Sequence, residues 1–137
     1  MLLKGTQMKP KQGEKLSLQK ITMISLEEKG ITQMTNIEKV PSVANLNLAH
    51  NHILRIEGME GLSRVRVLQL DHNQIDQIQG LSSLFNLERL TLSDNYISRL
   101  ENLTANRRLQ FLAISRQKIS GHFSFDPEST SALSYCL

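Results

Sequence analysis

The chain repeats itself, and the stretch that decides its fold is VLQLDHNQIDQIQGLSSL, residues 67–84. Twenty-two residues earlier the chain reads NLNLAHNHILRIEGMEGL (45–62), and twenty-two residues later it reads RLTLSDNYISRLENLTAN (89–106). Leucine, asparagine and isoleucine recur at the same offsets in all three copies. Self-similarity at a fixed period of this length predicts a solenoid, in which each repeat covers the apolar side of its neighbour.

The period extends over five frames without insertion, predicting repeats at 21–42, 43–64, 65–86, 87–108 and, in part, 109–120. Seven positions of each complete frame (1, 4, 6, 11, 14, 17 and 20) are apolar, and Asn106 is the only exception. Because only 39% of the chain is apolar, chance does not produce this pattern. No single repeat can bury its apolar residues alone, so neighbouring repeats must stack.

Each recurring position has a structural role. Positions 4 and 6 alternate as in a short strand, and stacking pairs such strands in parallel about 4.8 Å apart. A buried amide at position 9 can hydrogen-bond the backbone of its own and the neighbouring turn. Position 9 holds Lys29, Asn51, Asn73, Asn95 and Gln117. Position 16 holds Asn36, Gly58, Gly80 and Asn102, residue types that tolerate positive φ and predict a turn.

The two ends depart from the repeat. Residues 1–20 carry five lysines against one acid, and we expect a flexible basic flank whose last residues help to cap the first repeat. Residues 121–137 lose the register, so we expect an irregular segment and then a short helix. Asp126 would cap this helix and Pro127 would open it, with Leu133 and either Cys136 or Leu137 buried. The end is therefore expected to be either a minimal cap or a truncation.

The composition restricts the class of function. A formal charge of +3 with 4% aromatic residues leaves little material for base stacking, so we expect no nucleic-acid partner. The apolar runs are too short for a signal peptide or a membrane span. The lone Cys136 excludes an internal disulfide and suits a reducing compartment. We therefore expect a protein of the cytoplasm or nucleus. We also expect it to be a monomer.

The 22-residue form LxxLxLxxNxIxxIxxL resembles the leucine-rich-repeat class of protein phosphatase 1 regulators and its cytoskeletal and ciliary relatives. The resemblance covers about residues 21–120, and the segments KPKQGEKLSLQKIT (9–22) and LQFLAISRQKISGHFSFDPESTSAL (109–133) extend it. It implies an α/β solenoid, a horseshoe segment with a parallel concave sheet and a 3₁₀ or helical convex side. It also implies binding to the phosphatase catalytic subunit and association with microtubules or the centrosome.

In a repeat of this type the concave sheet exposes positions 3, 5, 7 and 8. The predicted contact residues there are Asn45, Asn47, His50, Val67, Gln69, Asp71, His72, Arg89, Thr91, Asp94, Phe111 and Arg116. Arg89, Phe111 and Arg116 are the best anchors, since aromatic residues and arginine dominate interface hot spots. Position 7 also includes Ala49 and Ser93, which we expect to be exposed.

His50 and His72 lie at position 8 of adjacent repeats, near Asp71 and Asp94. Metal-ligand chemistry is conceivable for this set, but a polar ladder across neighbouring strands is the simpler interpretation. No Ser or Cys nucleophile with an implied oxyanion hole accompanies the histidines, and no phosphate-binding loop is present in the sequence. We therefore predict a non-catalytic protein without metal or cofactor.

Three functions stay open on the sequence. The first is a regulatory module that binds protein phosphatase 1 and associates with microtubules. The second is an axonemal or centrosomal scaffold without phosphatase contact, and the third is a truncated isoform with little function. The lysines of the flank either touch acidic tubulin tails or stay solvated. These lysines are Lys4, Lys9, Lys11, Lys15 and Lys20.

Overall fold

The structure is a computed structural model that describes residues 18–131, and within them a parallel sheet runs along a solenoid of about five turns. The strands in chain order are β1 Met23–Ser25, β2 Asn45–Asn47, β3 Val67–Gln69, β4 Arg89–Thr91, β5 Arg99–Leu100, β6 Phe111–Ala113 and β7 Ser124–Phe125. Strands β1, β2, β3, β4 and β6 pair in this order, all in parallel. Partner residues such as Leu46 and Leu68 are one 22-residue period apart. The fold class predicted from the sequence is confirmed.

The apolar positions of the repeat form one continuous core. Every apolar residue at the seven recurring positions between Ile24 and Leu103 is buried. In β1, β2, β3 and β4 the middle residue is in this core and its two neighbours are more exposed, as in Val67–Gln69. Removing a Leu or Ile side chain from water contributes roughly 1.5–3 kcal/mol. The stacking of repeats is therefore what stabilises the strands.

The return side of each repeat is made mainly of turns. The predicted 3₁₀ helix is present in the first repeat, at Ile37–Lys39. Later repeats keep the same kind of hydrogen bond without a continuous helix. In the second repeat, for example, the N–H of Leu62 donates to the carbonyl of Met59 at 3.1 Å. Because the repeat has only 22 residues, the segment that connects one strand to the next is short. Each such hydrogen bond therefore closes a single turn, and the next strand begins soon after it.

Position 16 turns the chain in each complete repeat. Its φ is 65° at Asn36, 70° at Gly58, 69° at Gly80 and 60° at Asn102. These values lie in the left-handed region, which disfavours most side chains. The turn predicted from the residue types is confirmed.

At the amino-terminal end, Leu18–Lys20 form a 3₁₀ helix, and Leu18 packs against the core. Leu18 therefore covers the apolar side of the first repeat, where the last residues of the flank are expected to help cap it. The rest of that flank, residues 1–17, lies outside the described residues.

At the carboxyl-terminal end, β7 pairs in parallel with β5, so the segment predicted to be irregular contains a strand. Arg99 pairs with Ser124, three residues beyond the regular spacing, which accounts for the lost register. Helix α1, Pro127–Ser131, begins directly after Asp126 as predicted. Its predicted continuation to Leu133, Cys136 and Leu137 lies outside the described residues.

No helix within residues 18–131 has the length and apolar character needed to cross a membrane.

Candidate functional site

The outward side of the five-stranded sheet, which we call the sheet face, is made by positions 3, 5, 7 and 8 of the repeats. Its strand residues alternate with the buried Leu residues at position 4 and so point away from the core. The structure places all predicted contact residues on this face. Asn45, Asn47, Val67, Gln69, Asp71, Thr91 and Asp94 are half-buried, whereas His50, His72, Arg89, Phe111 and Arg116 are exposed.

Arg89 and Phe111 form a pair at the carboxyl-terminal half of the sheet face. They are register partners on β4 and β6, and the Arg89 Cζ lies 4.3 Å from the centroid of the Phe111 ring. This is a cation–π contact, which orients the guanidinium over the ring. The ring is 42% exposed, so the pair presents both apolar area and charge to solvent.

Two side chains at position 7 are less exposed than predicted. Ala49 and Ser93 are each only 6% exposed, so the expectation that they contribute to the surface is wrong. The half-buried Asp71 accepts hydrogen bonds from the Thr91 hydroxyl and, at 2.9 Å, from the N–H of Ser93. Asp71 therefore ties its repeat to the next one.

Position 8 has a left-handed backbone in all five repeats. The φ values, between 52° and 58°, belong to Glu28, His50, His72, Asp94 and Arg116. Such values are uncommon outside glycine, asparagine, aspartate and histidine. In the first four repeats the N–H of the position-8 residue donates to the position-7 carbonyl of the next repeat, and this hydrogen bond holds the conformation. The N–H of His50, for example, donates to the Asp71 carbonyl at 2.9 Å. This feature was not predicted from the sequence, although His50, His72 and Asp94 are of types enriched in the left-handed region.

A row of polar side chains runs across the repeats at position 8 and begins with an acid at position 7. We call it the histidine ladder, and its members are Glu27, His50, His72, Asp94 and Arg116. The rings of His50 and His72 stack, with centroids 4.2 Å apart and planes 14° from parallel. The Nε2 of His72 lies 3.3 Å from Asp94 Oδ2, and that of His50 lies 3.9 Å from Glu27 Oε1. Arg116 donates to both oxygens of Asp94, at 3.0 Å to Oδ1 and 2.6 Å to Oδ2. The prediction of a polar ladder is confirmed.

The ladder includes one residue that the sequence reasoning did not select, Glu27. Its signal was the register, which places an acid at position 7 beside His50 on the following repeat. As for metal ligands, no group of three or more His, Cys, Asp or Glu side chains among residues 18–131 could hold an ion.

A second polar row at position 10 was also missed. The Gln74 Nε2 lies 3.3 Å from His52 Nδ1, and the Lys118 Nζ lies 5.6 Å from the centroid of the Tyr96 ring. The Tyr96 ring is 42% exposed. The register could have revealed this row too, because position 10 follows the buried amide of position 9 in each repeat.

The pKa of Asp94 is held below its ordinary value, chiefly by the hydrogen bonds from Arg116. Burial opposes this shift, and the charges of Arg116, His72 and Lys118 support it. The same contact raises the pKa of Arg116. Asp94 therefore stays ionised to lower pH in the folded chain than in the unfolded chain.

Replacing Arg116 by alanine is expected to raise the pKa of Asp94, which an NMR titration of its carboxyl carbon measures. A depressed folded pKa stabilises the fold above the unfolded value, about 3.9. That contribution is lost as the pH falls through the folded pKa. The stability difference between the native chain and Arg116→Ala should therefore shrink below that pH. Lys118→Ala is the control, with a smaller shift, and equal shifts in the two variants would contradict the assignment.

Comparison with known families agrees with this geometry. Residues 41–97 match the family described as leucine rich repeat. These residues of the solenoid are therefore similar to leucine-rich repeats. The matched leucine-rich repeats include β2, β3 and β4, which carry the middle of the sheet face. No curated protein matches the sequence.

Among solved structures, the solenoid is similar to internalin C2 from Listeria monocytogenes, with a TM-score of 0.74 and 28% identity. The match covers 90% of this chain and 54% of that protein, so the chain spans about half its length. An internalin (inlF) of the same organism matches with a TM-score of 0.63 and 21% identity, over 78% of this chain and 37% of that one. At that identity the second likeness concerns the fold alone.

Proposed function

We propose that this chain is a non-catalytic protein-interaction module that binds the catalytic subunit of protein phosphatase 1 through its sheet face. The observation that carries the proposal is the ordered sheet face, where Arg89 is held on Phe111 and Arg116 is held on Asp94. Side chains that are already ordered lose less entropy when a partner binds. Arginine and aromatic residues are also the commonest interface hot spots.

The choice of partner is supported by the sequence resemblance. The tail at 109–133 and the approach to the first repeat at 9–22 are similar to protein phosphatase 1 regulatory subunit 42, a testis-associated leucine-rich-repeat protein. That resemblance also supports a cytoplasmic location at microtubules, the centrosome or another microtubule-organising centre. The lysines of the flank would meet the acidic surface of tubulin.

A pulldown with purified phosphatase catalytic subunit tests the proposal. Arg89→Glu and Phe111→Ala are each expected to weaken retention roughly tenfold or more, because truncated hot spots cost about 2 kcal/mol or more. Arg55→Glu is the matched control, since Arg55 is exposed and lies away from the sheet face. Thermal melts of all variants show whether the fold is kept.

Absence of retention by the native chain, or equal retention by all variants, contradicts phosphatase binding through this face. The second candidate is a microtubule scaffold without phosphatase contact, which the five lysines of residues 1–20 favour. It predicts that the chain sediments with microtubules, that this is lost on deletion of residues 1–17, and that no phosphatase is retained. The two assays together therefore separate the candidates.

A further inference from the structure

The amino-terminal ends of the strands carry a basic patch that is separate from the sheet face. Positions 21, 22 and 2 place four arginines at this edge around one exposed aromatic ring. We call Arg64, Arg66, Phe85, Arg107 and Arg108 the arginine edge. All four arginines are exposed, and Phe85 is 60% exposed.

Most of this charge has no counter-charge. Arg66 pairs with Glu88, with its Nε 3.3 Å from Oε1. Within residues 18–131, no carboxylate lies in ion-pairing range of Arg64, Arg107 or Arg108. An unneutralised cluster of cations on adjacent repeats creates a positive local potential that attracts anionic groups.

The edge is also ordered by bonds between repeats. The Arg108 Nη1 donates to Asn86 Oδ1 at 2.8 Å, and the Asn86 Nδ2 donates to the Ser63 carbonyl at 2.7 Å. Position 22 of one repeat is thereby tied to the repeat before it. With strands about 4.8 Å apart, the three repeats of the edge span roughly 10 Å. An extended peptide of about four residues covers that length.

The opposite edge of the same sheet has the other sign of charge. It carries Glu27, Glu28, Asp71 and Asp94, among which Arg116 balances Asp94. A continuous phosphate backbone lying across the sheet would meet these carboxylates, whereas a short strand along the arginine edge would not. The charge distribution therefore favours a short acidic peptide over a nucleic acid.

We propose that the arginine edge is a docking surface for an extended acidic polypeptide segment with an apolar side chain among its carboxylates. Alternate residues of an extended segment face the same side, so its carboxylates can reach successive arginines. The planar guanidinium matches a carboxylate with two parallel hydrogen bonds. The exposed Phe85 supplies the contact for the apolar side chain. The surface shares no residue with the sheet face and does not depend on phosphatase binding.

The test uses the full chain and a fluorescein-labelled ten-residue peptide of alternating glutamate and serine with one central leucine, followed by fluorescence anisotropy. Arg107→Glu with Arg108→Glu is expected to weaken binding roughly tenfold or more, since several charge contacts change at once. Lys39→Glu with Arg55→Glu is the matched control, because it changes the net charge equally at exposed positions off the edge. The control variant should bind within about twofold of the native chain.

Phe85→Ser provides an independent arm without any change of charge, and it should weaken binding about threefold at every salt concentration. If thermal melts show that the double reversal does not fold, Arg64→Ser with Arg107→Ser replaces it, with the same expectation. Equal binding by the edge and control variants, or no saturable binding, overturns the proposal. Tighter binding of a ten-residue oligothymidylate than of the peptide would also overturn it, in favour of a nucleic acid.

Discussion

Replacing Asn95 by alanine is expected to lower the free energy of unfolding by roughly 3–5 kcal/mol, since several buried polar groups lose their partner together. Asn95 is fully buried. Its Oδ1 accepts from the N–H of Ile75 at 3.0 Å, and its Nδ2 donates to the carbonyls of Leu70 and Leu92 at 2.9 and 3.0 Å. Alanine leaves these backbone groups out of reach of both water and an amide.

Urea unfolding followed by circular dichroism measures this loss. Gln117→Ala is the matched control, because Gln117 makes the same set of bonds one repeat later but is only half-buried. Water can replace a partner at that site, so the expected loss is about 1–2 kcal/mol. A loss below about 1 kcal/mol for Asn95→Ala, or equal losses in the two variants, would show that the buried amide is not a main tie between repeats.

The prediction concerns how the repeats are joined. In a solenoid each repeat contacts only its neighbours, so stability is a sum of repeats and of the interfaces between them. The amides of Asn51 and Asn73 repeat the bonding of Asn95, each donating to a carbonyl of the preceding repeat. The parallel strands add a ladder of backbone hydrogen bonds, and the return side adds single bonds such as that from Asn102 to the Ile78 carbonyl. The position-9 amides therefore act together with this ladder and the core.

These ties could be predicted because the sequence period and the structural period are the same. A shift of one residue would move Leu68 from the core to the surface, so the apolar pattern alone fixes the strand register. A polar residue recurring at position 9 inside an apolar frame must find partners, and the backbone of the turn is the nearest source. The predicted amide role is confirmed for Asn51, Asn73, Asn95 and Gln117.

Lys29 is the exception at position 9, because it belongs to the first repeat and is exposed. Its N–H instead donates to Asn51 Oδ1 at 3.0 Å. Asn106 is the opposite case, a polar residue at an apolar position that is nonetheless fully buried. Its Nδ2 donates to the carbonyls of Leu81 and Leu84, and within residues 18–131 its Oδ1 accepts no hydrogen bond. The apolar pattern identifies Asn106 as an irregular residue. It does not predict that carbonyls of the previous repeat accept hydrogen bonds from the Asn106 amide.

Contacts between side chains on the sheet face could be predicted only in part. The register places His50 beside His72 and Arg89 beside Phe111, but it does not specify that the first pair stacks and the second forms a cation–π contact. Those geometries depend on rotamers and on the left-handed backbone of position 8. That backbone is held by hydrogen bonds to the next repeat, and residue preference alone does not account for it at Glu28 and Arg116. The partner of the sheet face stays a prediction for the same reason.

Replacing Gly80 by alanine is expected to cost about 2–4 kcal/mol, more than a left-handed backbone alone explains. Gly80 has a φ of 69°, and an added Cβ would lie 2.5 Å from the carbonyl oxygen of Ile56. Gly61→Ala is the control, because Gly61 has a φ of 81° with no atom within 4 Å of an added Cβ. It should cost about 1 kcal/mol, the strain of the backbone conformation.

A third variant, Gly80→Asn, tests which feature of position 16 matters. Asn102 occupies this position one repeat later, where its φ is 60° and its Nδ2 donates to the Ile78 carbonyl at 2.8 Å. Asparagine tolerates the left-handed region and can turn the close approach into a hydrogen bond, so Gly80→Asn should lie between the control and Gly80→Ala. Urea unfolding of the three variants gives this order. If Gly80→Ala is no worse than Gly61→Ala, the carbonyl contact does not select glycine there, and backbone conformation alone explains its recurrence at residues 58 and 80.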